Sequence, residues 1–190
     1  MTMNTYPDFI ETANAAVTRL KPTFADKLKY SFLKMPYACK VCEKAPDEST
    51  AAILEAFTLL PQYKLVVAAN WSSTKKANEL YKKYSRAANV ILLHKPALQR
   101  DLRLITENCF VYIQDAGGNS IASLSCAMLA GLPVIAYKDE ENIKLTNHKA
   151  LYFSTANELQ KIILEKNITD LKKTGAEMYK SAQMILTQQY

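Results

Sequence analysis

The chain of 190 residues is 49% hydrophobic and 22% charged, and 24 Lys and Arg against 18 Asp and Glu leave a net charge of +6. This is the make-up of a soluble domain long enough for a proper core. No apolar run nears the roughly 20 residues of a membrane span, and residues 1–11 lack the basic start and apolar stretch of a signal peptide. The lysines are scattered over helical patterns with no basic–aromatic recognition motif, which points to a solvated surface and away from nucleic acid.

Residues 8–20 place Phe9, Ala13, Ala16 and Leu20 at helical spacing, and Pro22 closes the pattern. Residues 27–35 read as helix or as an extended lead-in. Residues 1–35 thus form an N-terminal helical lead-in to a domain over residues 36–190. From Pro36 onward strands and helices alternate. A strand is expected over 37–42, a polar turn with Ser49 as helix cap, and an amphipathic face of Ile53, Ala56, Phe57 and Leu60. Residues 64–69 and 89–94 read as buried strands, with helices over 74–84 and 98–108. Such alternation implies a parallel sheet with right-handed crossovers. Cys39 and Cys42 form a Cys-x-x-Cys inside a strand, where that spacing sends the two side chains to opposite faces. They read as small buried hydrophobes in a reducing compartment, here the cytoplasm, and no metal or organic cofactor is expected.

The most informative stretch spans residues 110–153. An apolar, aromatic strand ends at Asp115-Ala-Gly-Gly-Asn-Ser120, a helical run follows to Cys126-Ala-Met-Leu-Ala-Gly131, and Leu-Pro-Val-Ile-Ala-Tyr137 begins the next strand. Gly117 and Gly118 permit positive φ and close backbone approach. Asn119 or Ser120 can cap the helix, whose N-terminus beyond a strand's carboxyl end is an anion site, or else the pair is a tight turn without ligand. Gly131 fits just past the helix end, before Pro133. Residues 154–166 and 169–188 read as two closing helices, the first capped by Ser154 and the second offering Leu171, Met178, Met184 and Ile185 for burial.

The stretch from Asp115 to Tyr137 resembles the donor-site signature of GT-B glycosyltransferases, closest to the bacterial rhamnosyltransferase-like branch. Gly117-Gly118-Asn119-Ser120 is similar to its Gly-Gly-Thr-Asn turn, Ala127-Met128 and Gly131-x-Pro133 to its Ala-Met-x-x-Gly-x-Pro, and Ala150-Leu-Tyr-Phe153 to its downstream strand. Tyr37 to Cys42 with Pro46-Asp47-Glu48, and Tyr63 to Val67 with Asn70-Trp71, extend the resemblance over about three quarters of the chain. It implies a three-layer α/β Rossmann-like domain of about six mainly parallel strands, the C-terminal, nucleotide-sugar-binding half of such an enzyme. The acceptor half is missing, so a protein partner supplying it, or a homo-oligomer, is implied. Donor-binding residues would be Gly117, Gly118, Asn119 and Ser120, with Lys44, Asp115 and Asn142 beside them. Asp115 either approaches a sugar or caps the turn.

The departures from the family pattern are equally specific. Glu43 stands where the family has an Arg, Cys126 where it has a Glu, and Ile143 where it has a second Arg. No acidic residue lies between Gly117 and Cys126. Residues 139–142 read as a solvated acidic loop, His94 and His148 as loop histidines outside any triad, and Trp71 as a base stacker or a lid on the core. The alternative to a degenerate donor binder is a non-catalytic remnant or interaction module that keeps the half-fold.

Overall fold

The computed structural model describes residues 19–95, 98–118 and 121–187. The helix expected over 8–20 lies almost wholly outside the described residues, as do Asn119 and Ser120. Helix α1 (Phe24–Lys29) opens behind a Thr23–Asp26 capping box, and a 3-10 turn (Ser31–Lys34) leads into β1 (Ala38–Val41). Then come α2 (Glu48–Thr58), β2 (Leu65–Ala69), α3 (Lys75–Tyr84), β3 (Val90–His94), α4 (Gln99–Glu107) and β4 (Val111–Gln114). A short turn (Ala116–Gly118) precedes α5 (Ile121–Leu129), β5 (Val134–Tyr137), α6 (Glu140–Leu145), β6 (Leu151–Phe153), α7 (Ala156–Glu165) and α8 (Ile168–Thr187).

Side-chain oxygens place the helix starts. Asp47, not Ser49, caps α2, accepting from the Ser49 and Thr50 N–H groups, because its carboxylate reaches two orphan donors at once. Thr74 caps α3, and Thr155 rather than Ser154 caps α7. The acidic run 139–142 is no loop: Asp139 accepts from the Asn142 N–H at 2.7 Å and starts α6, which buries Asn142 completely. Gly131 closes α5 at φ +65°, with Leu132 N–H reaching back to the Ala127 carbonyl.

The six strands are all parallel and lie in the order β3-β2-β1-β4-β5-β6. Strand order reverses between β1 and β4, where Ala38 pairs with Leu65 on one side and Val111 on the other. Strand alternation splits the core into two layers. Ala38, Leu65, Val67, Val111 and Ile113 face Ile53, Phe57 and Leu159 of α2 and α7. Cys39, Val66, Tyr112, Val134 and Ala136 face Ile105, Leu124 and Met128 of α4 and α5, with Met178 of α8. Cys39 and Cys42 thus fall in opposite layers, and all four cysteines are buried free thiols.

Helix α8 folds onto its own domain. Gly175 lies so near the Gly131 carbonyl that an added Cβ would sit 2.4 Å from its oxygen. Met178 is buried, whereas Met184 is half exposed, so only part of the expected apolar face is used. Residues 20–32 also pack on the domain. Arg100 forks both oxygens of Asp26 at 2.8 Å, Lys29 and Tyr30 meet Asp101 at 2.6 and 3.0 Å, and Phe32 joins the core. Among the described residues no helix is long and apolar enough to cross a membrane.

Candidate functional site

In open parallel sheets the crevice for ligands lies outside the strand carboxyl ends, at the point where strand order reverses. Here that places it between the exits of β1 and β4. Lys40, fully buried on β1, forms an ion pair with Asp115 Oδ1 at 3.0 Å and donates to the Val41 carbonyl at 2.6 Å. Burial works against the Lys40 charge, and Asp115 together with the nearby Cys42 and Glu43 outweighs it, keeping the ammonium above its ordinary value. Burial also pushes the Asp115 carboxyl upward, against the pull of Lys40. Asp115 therefore serves as a buried counter-ion beneath the turn. Beside it, the fully buried Gln114 amide has no hydrogen-bond partner among the described residues.

The backbone donors of the turn meet the chain's own side chains. Gly117 and Gly118 adopt φ +75° and +57°, and the Gly117 N–H donates to Asp139 Oδ2 at 2.8 Å. A Cβ on Gly118 would meet Glu141 Oε2 and Leu145 Cδ1 at 3.1 Å each. The neighbouring Ala116 N–H goes to Ser49 Oγ at 3.1 Å. In the first turn of α5, Ser123 gives its N–H and its hydroxyl to Glu43 Oε1 at 3.1 and 3.3 Å. Glu43 therefore lies with the positive end of the helix dipole. Two carboxylates of the chain thus take up backbone donors of the kind that hold a phosphate.

The other sequence-derived residues divide sharply. Asn142 is buried and spreads its amide over the Asp115 and Tyr137 carbonyls and Asp139 Oδ2, at 2.7, 3.0 and 3.1 Å, so it ties the turn to α6. Lys44 is exposed, at the β1 exit next to Glu43. Trp71 is buried and gives its indole N–H to the Leu93 carbonyl at 2.8 Å, which makes it a lid on the core. His94 and His148 are exposed. Burial pushes the Cys126 thiol up to about 12, so at neutral pH it carries no charge.

Sequence reading missed Lys40 as a functional feature and missed the roles of Glu43 and Asp139. A lysine amid Tyr-Ala-Cys-Lys-Val-Cys was the available signal, since a charge inside a buried strand needs a partner. A cavity of about 170 Å³ adjoins Glu43, bounded by Lys95, Arg103, Thr106, Ser123 and Cys126. The buried Thr106 hydroxyl on its wall has no partner among the described residues.

No protein-family model matches the chain, and no curated protein matches it by sequence. Solved structures do match. HepE from Anabaena, in complex with UDP and glucose, superposes with a TM-score of 0.67 at 16% identity, over 90% of this chain and 51% of that one. The trehalose-6-phosphate synthase OtsA gives 0.63 at 14%, over 93% and 46%. A Listeria monocytogenes protein assigned as a UDP-N-acetylglucosamine 2-epimerase gives 0.60 at 15%, over 92% and 50%. The chain spans about half the length of these proteins. The six-stranded parallel sheet flanked by helices is the Rossmann-like α/β fold of GT-B C-terminal domains. One neighbour is a trehalose-6-phosphate synthase and another is assigned as an epimerase, so the chemistry must be argued from the site.

Proposed function

We propose that this chain is a glycosyltransferase-like nucleotide-sugar domain with a degenerate donor site, one whose phosphate cradle is held by its own carboxylates. The observation that carries the reading is the Glu43 carboxylate on the Ser123 N–H at the start of α5. A leaving nucleoside diphosphate gains negative charge during transfer and needs cations and helix N-termini. A carboxylate at that position repels it and competes for the same donor. Asp139 does likewise at Gly117. Sugar transfer by the domain acting alone is therefore low or absent, and acceptor binding falls to a partner or to a second copy. The rhamnosyltransferase-like likeness makes deoxythymidine nucleotides the first to try, and the buried free thiols fit a reducing, cytoplasmic setting.

Calorimetric titration with dTDP, UDP and GDP tests this reading. Wild type should bind one nucleotide weakly. Glu43→Arg, which removes the competing carboxylate and adds a cation, should bind it about tenfold or more tightly. Gly118→Asp should abolish that binding, through both charge and its positive φ. No heat from folded wild type or from Glu43→Arg would overturn the reading. A second reading, a non-catalytic interaction module, is favoured by the cavity beside Glu43, whose 170 Å³ is below the roughly 300 Å³ at which ligand pockets begin.

A further inference from the structure

The opposite end of the sheet carries a larger concavity. At the amino ends of the strands, Met35, Phe110, Pro133, Ile163 and Leu171 help to wall a groove of about 820 Å³. This volume lies within the range of small-molecule sites. Its charge is one-sided. Arg19, Lys64, Lys166 and Lys172 line it, and no Asp or Glu does among the described residues, although acids number 18 against 24 bases in the whole chain. None of Lys64, Lys166 and Lys172 has an ion-pair partner among the described residues. Arg19 spends one N–H on the Ala130 carbonyl at 2.8 Å.

We propose that this groove binds a small amphipathic anion, an alkyl or acyl chain carrying one phosphate or carboxylate head. The chain lies along the apolar wall, where each methylene taken from water should tighten binding about fourfold. The head lies among the lysines, where a cation or a neutral alcohol gains nothing. The groove is separate from the β1–β4 crevice, so occupancy should leave nucleotide titrations unchanged.

Titration of the full chain with octyl and decyl phosphate, below their micelle concentrations, is the test. One saturable site is expected, tighter for the longer chain. Decanol and decyltrimethylammonium should bind about tenfold more weakly or worse. The double variant Lys166→Glu with Lys172→Glu should lose about tenfold in affinity with an unchanged circular dichroism spectrum, since both lysines are exposed. Leu171→Gln should flatten the chain-length dependence. Absence of binding, equal binding of the cationic amphiphile, or indifference to the double charge reversal overturns the proposal. So does sedimentation with phosphatidylserine-containing vesicles but not phosphatidylcholine ones when monomeric phosphate amphiphiles fail to bind, for that would mark a surface attraction and not a pocket.

Discussion

The two ends of the sheet solve opposite problems with the same strands. At the carboxyl ends, backbone donors, a buried lysine and a helix N-terminus converge, and the chain answers them with Asp115, Asp139 and Glu43. At the amino ends, apolar side chains and four cations converge, and no acidic residue among the described ones answers them. One end is electrostatically closed upon itself and the other is left open. In sheets of this kind the ligand crevice lies at the first end, and here the chain's own carboxylates occupy backbone donors there. The contrast also predicts where ligands act: binding energy is available where charges lack partners, and costs an exchange where they already have them.

The largest break in this comparison should come from Lys40→Met. It leaves Asp115 buried without its counter-ion, and should cost about 3–5 kcal/mol in urea unfolding. Pairing it with Asp115→Leu should recover most of that loss, because no charge is then left behind. Recovery would assign the loss to the charge; a double variant no better than the single one would point to packing instead. Next comes the contact of α8 with Gly131, which borders the open end. A glycine-to-alanine change inside a helix ordinarily stabilises by up to about 1 kcal/mol. At Gly175 the sign should reverse, because the new Cβ would lie 2.4 Å from the Gly131 oxygen. A net loss of about 1–3 kcal/mol is expected in thermal melts.

Glu43→Gln sharpens the comparison from the closed end. It keeps the acceptor and removes the charge at the start of α5, so a loss of only about 1 kcal/mol is expected. A loss as large as that of Lys40→Met would make Glu43 a structural keystone and not a plug in an anion site. Acid pH should act elsewhere first. Arg100 and Thr23 hold the Asp26 carboxyl well below its ordinary 3.8, and Lys29, with Tyr30, holds that of Asp101 low against burial. Carboxyls lowered in the folded state stabilise it above 3.8, and lose that contribution as pH falls through their folded values. Stability should therefore drop on acidification below about pH 4. Arg100→Leu should flatten this dependence by releasing Asp26 and loosening Asp101, which Arg100 also meets at 3.5 Å, leaving the part of the slope that Lys29 and Tyr30 give Asp101. An unchanged slope would show that the strap of residues 20–32 does not govern the acid limb.

Much of the fold was legible because its signals are local. Apolar runs such as Leu65-Val-Val-Ala-Ala69 fixed the strands to within a residue or so, and Gly131 marked the end of α5. Alternation of strand and helix implied a parallel sheet, and the observed sheet is parallel throughout. Cap identities were less legible, since Asp47 and Ser49, or Ser154 and Thr155, all carry a side-chain oxygen able to cap, and only the folded helix start shows which one reaches the free N–H groups. Residues 139–142 misled for a related reason. Their charges read as solvent-facing, but Asp139 and Asn142 turn inward to hold the glycine turn.

By itself the sequence determined most of the element types, the parallel class and the glycine turn, though not α6, because hydrophobic period and backbone freedom are properties of near neighbours. Its resemblance to GT-B donor sites also implied that Glu43 and Cys126 are replacements at positions where that pattern has Arg and Glu. Only the tertiary structure decided what those replacements do. Glu43 meets Ser123 across 80 residues, Lys40 meets Asp115 across the β1–β4 boundary, and Gly175 meets Gly131 where α8 crosses the end of α5. Such contacts depend on which strands lie side by side, and so does the cationic groove at the other end. Its four basic residues come from positions 19, 64, 166 and 172, which no local pattern brings together.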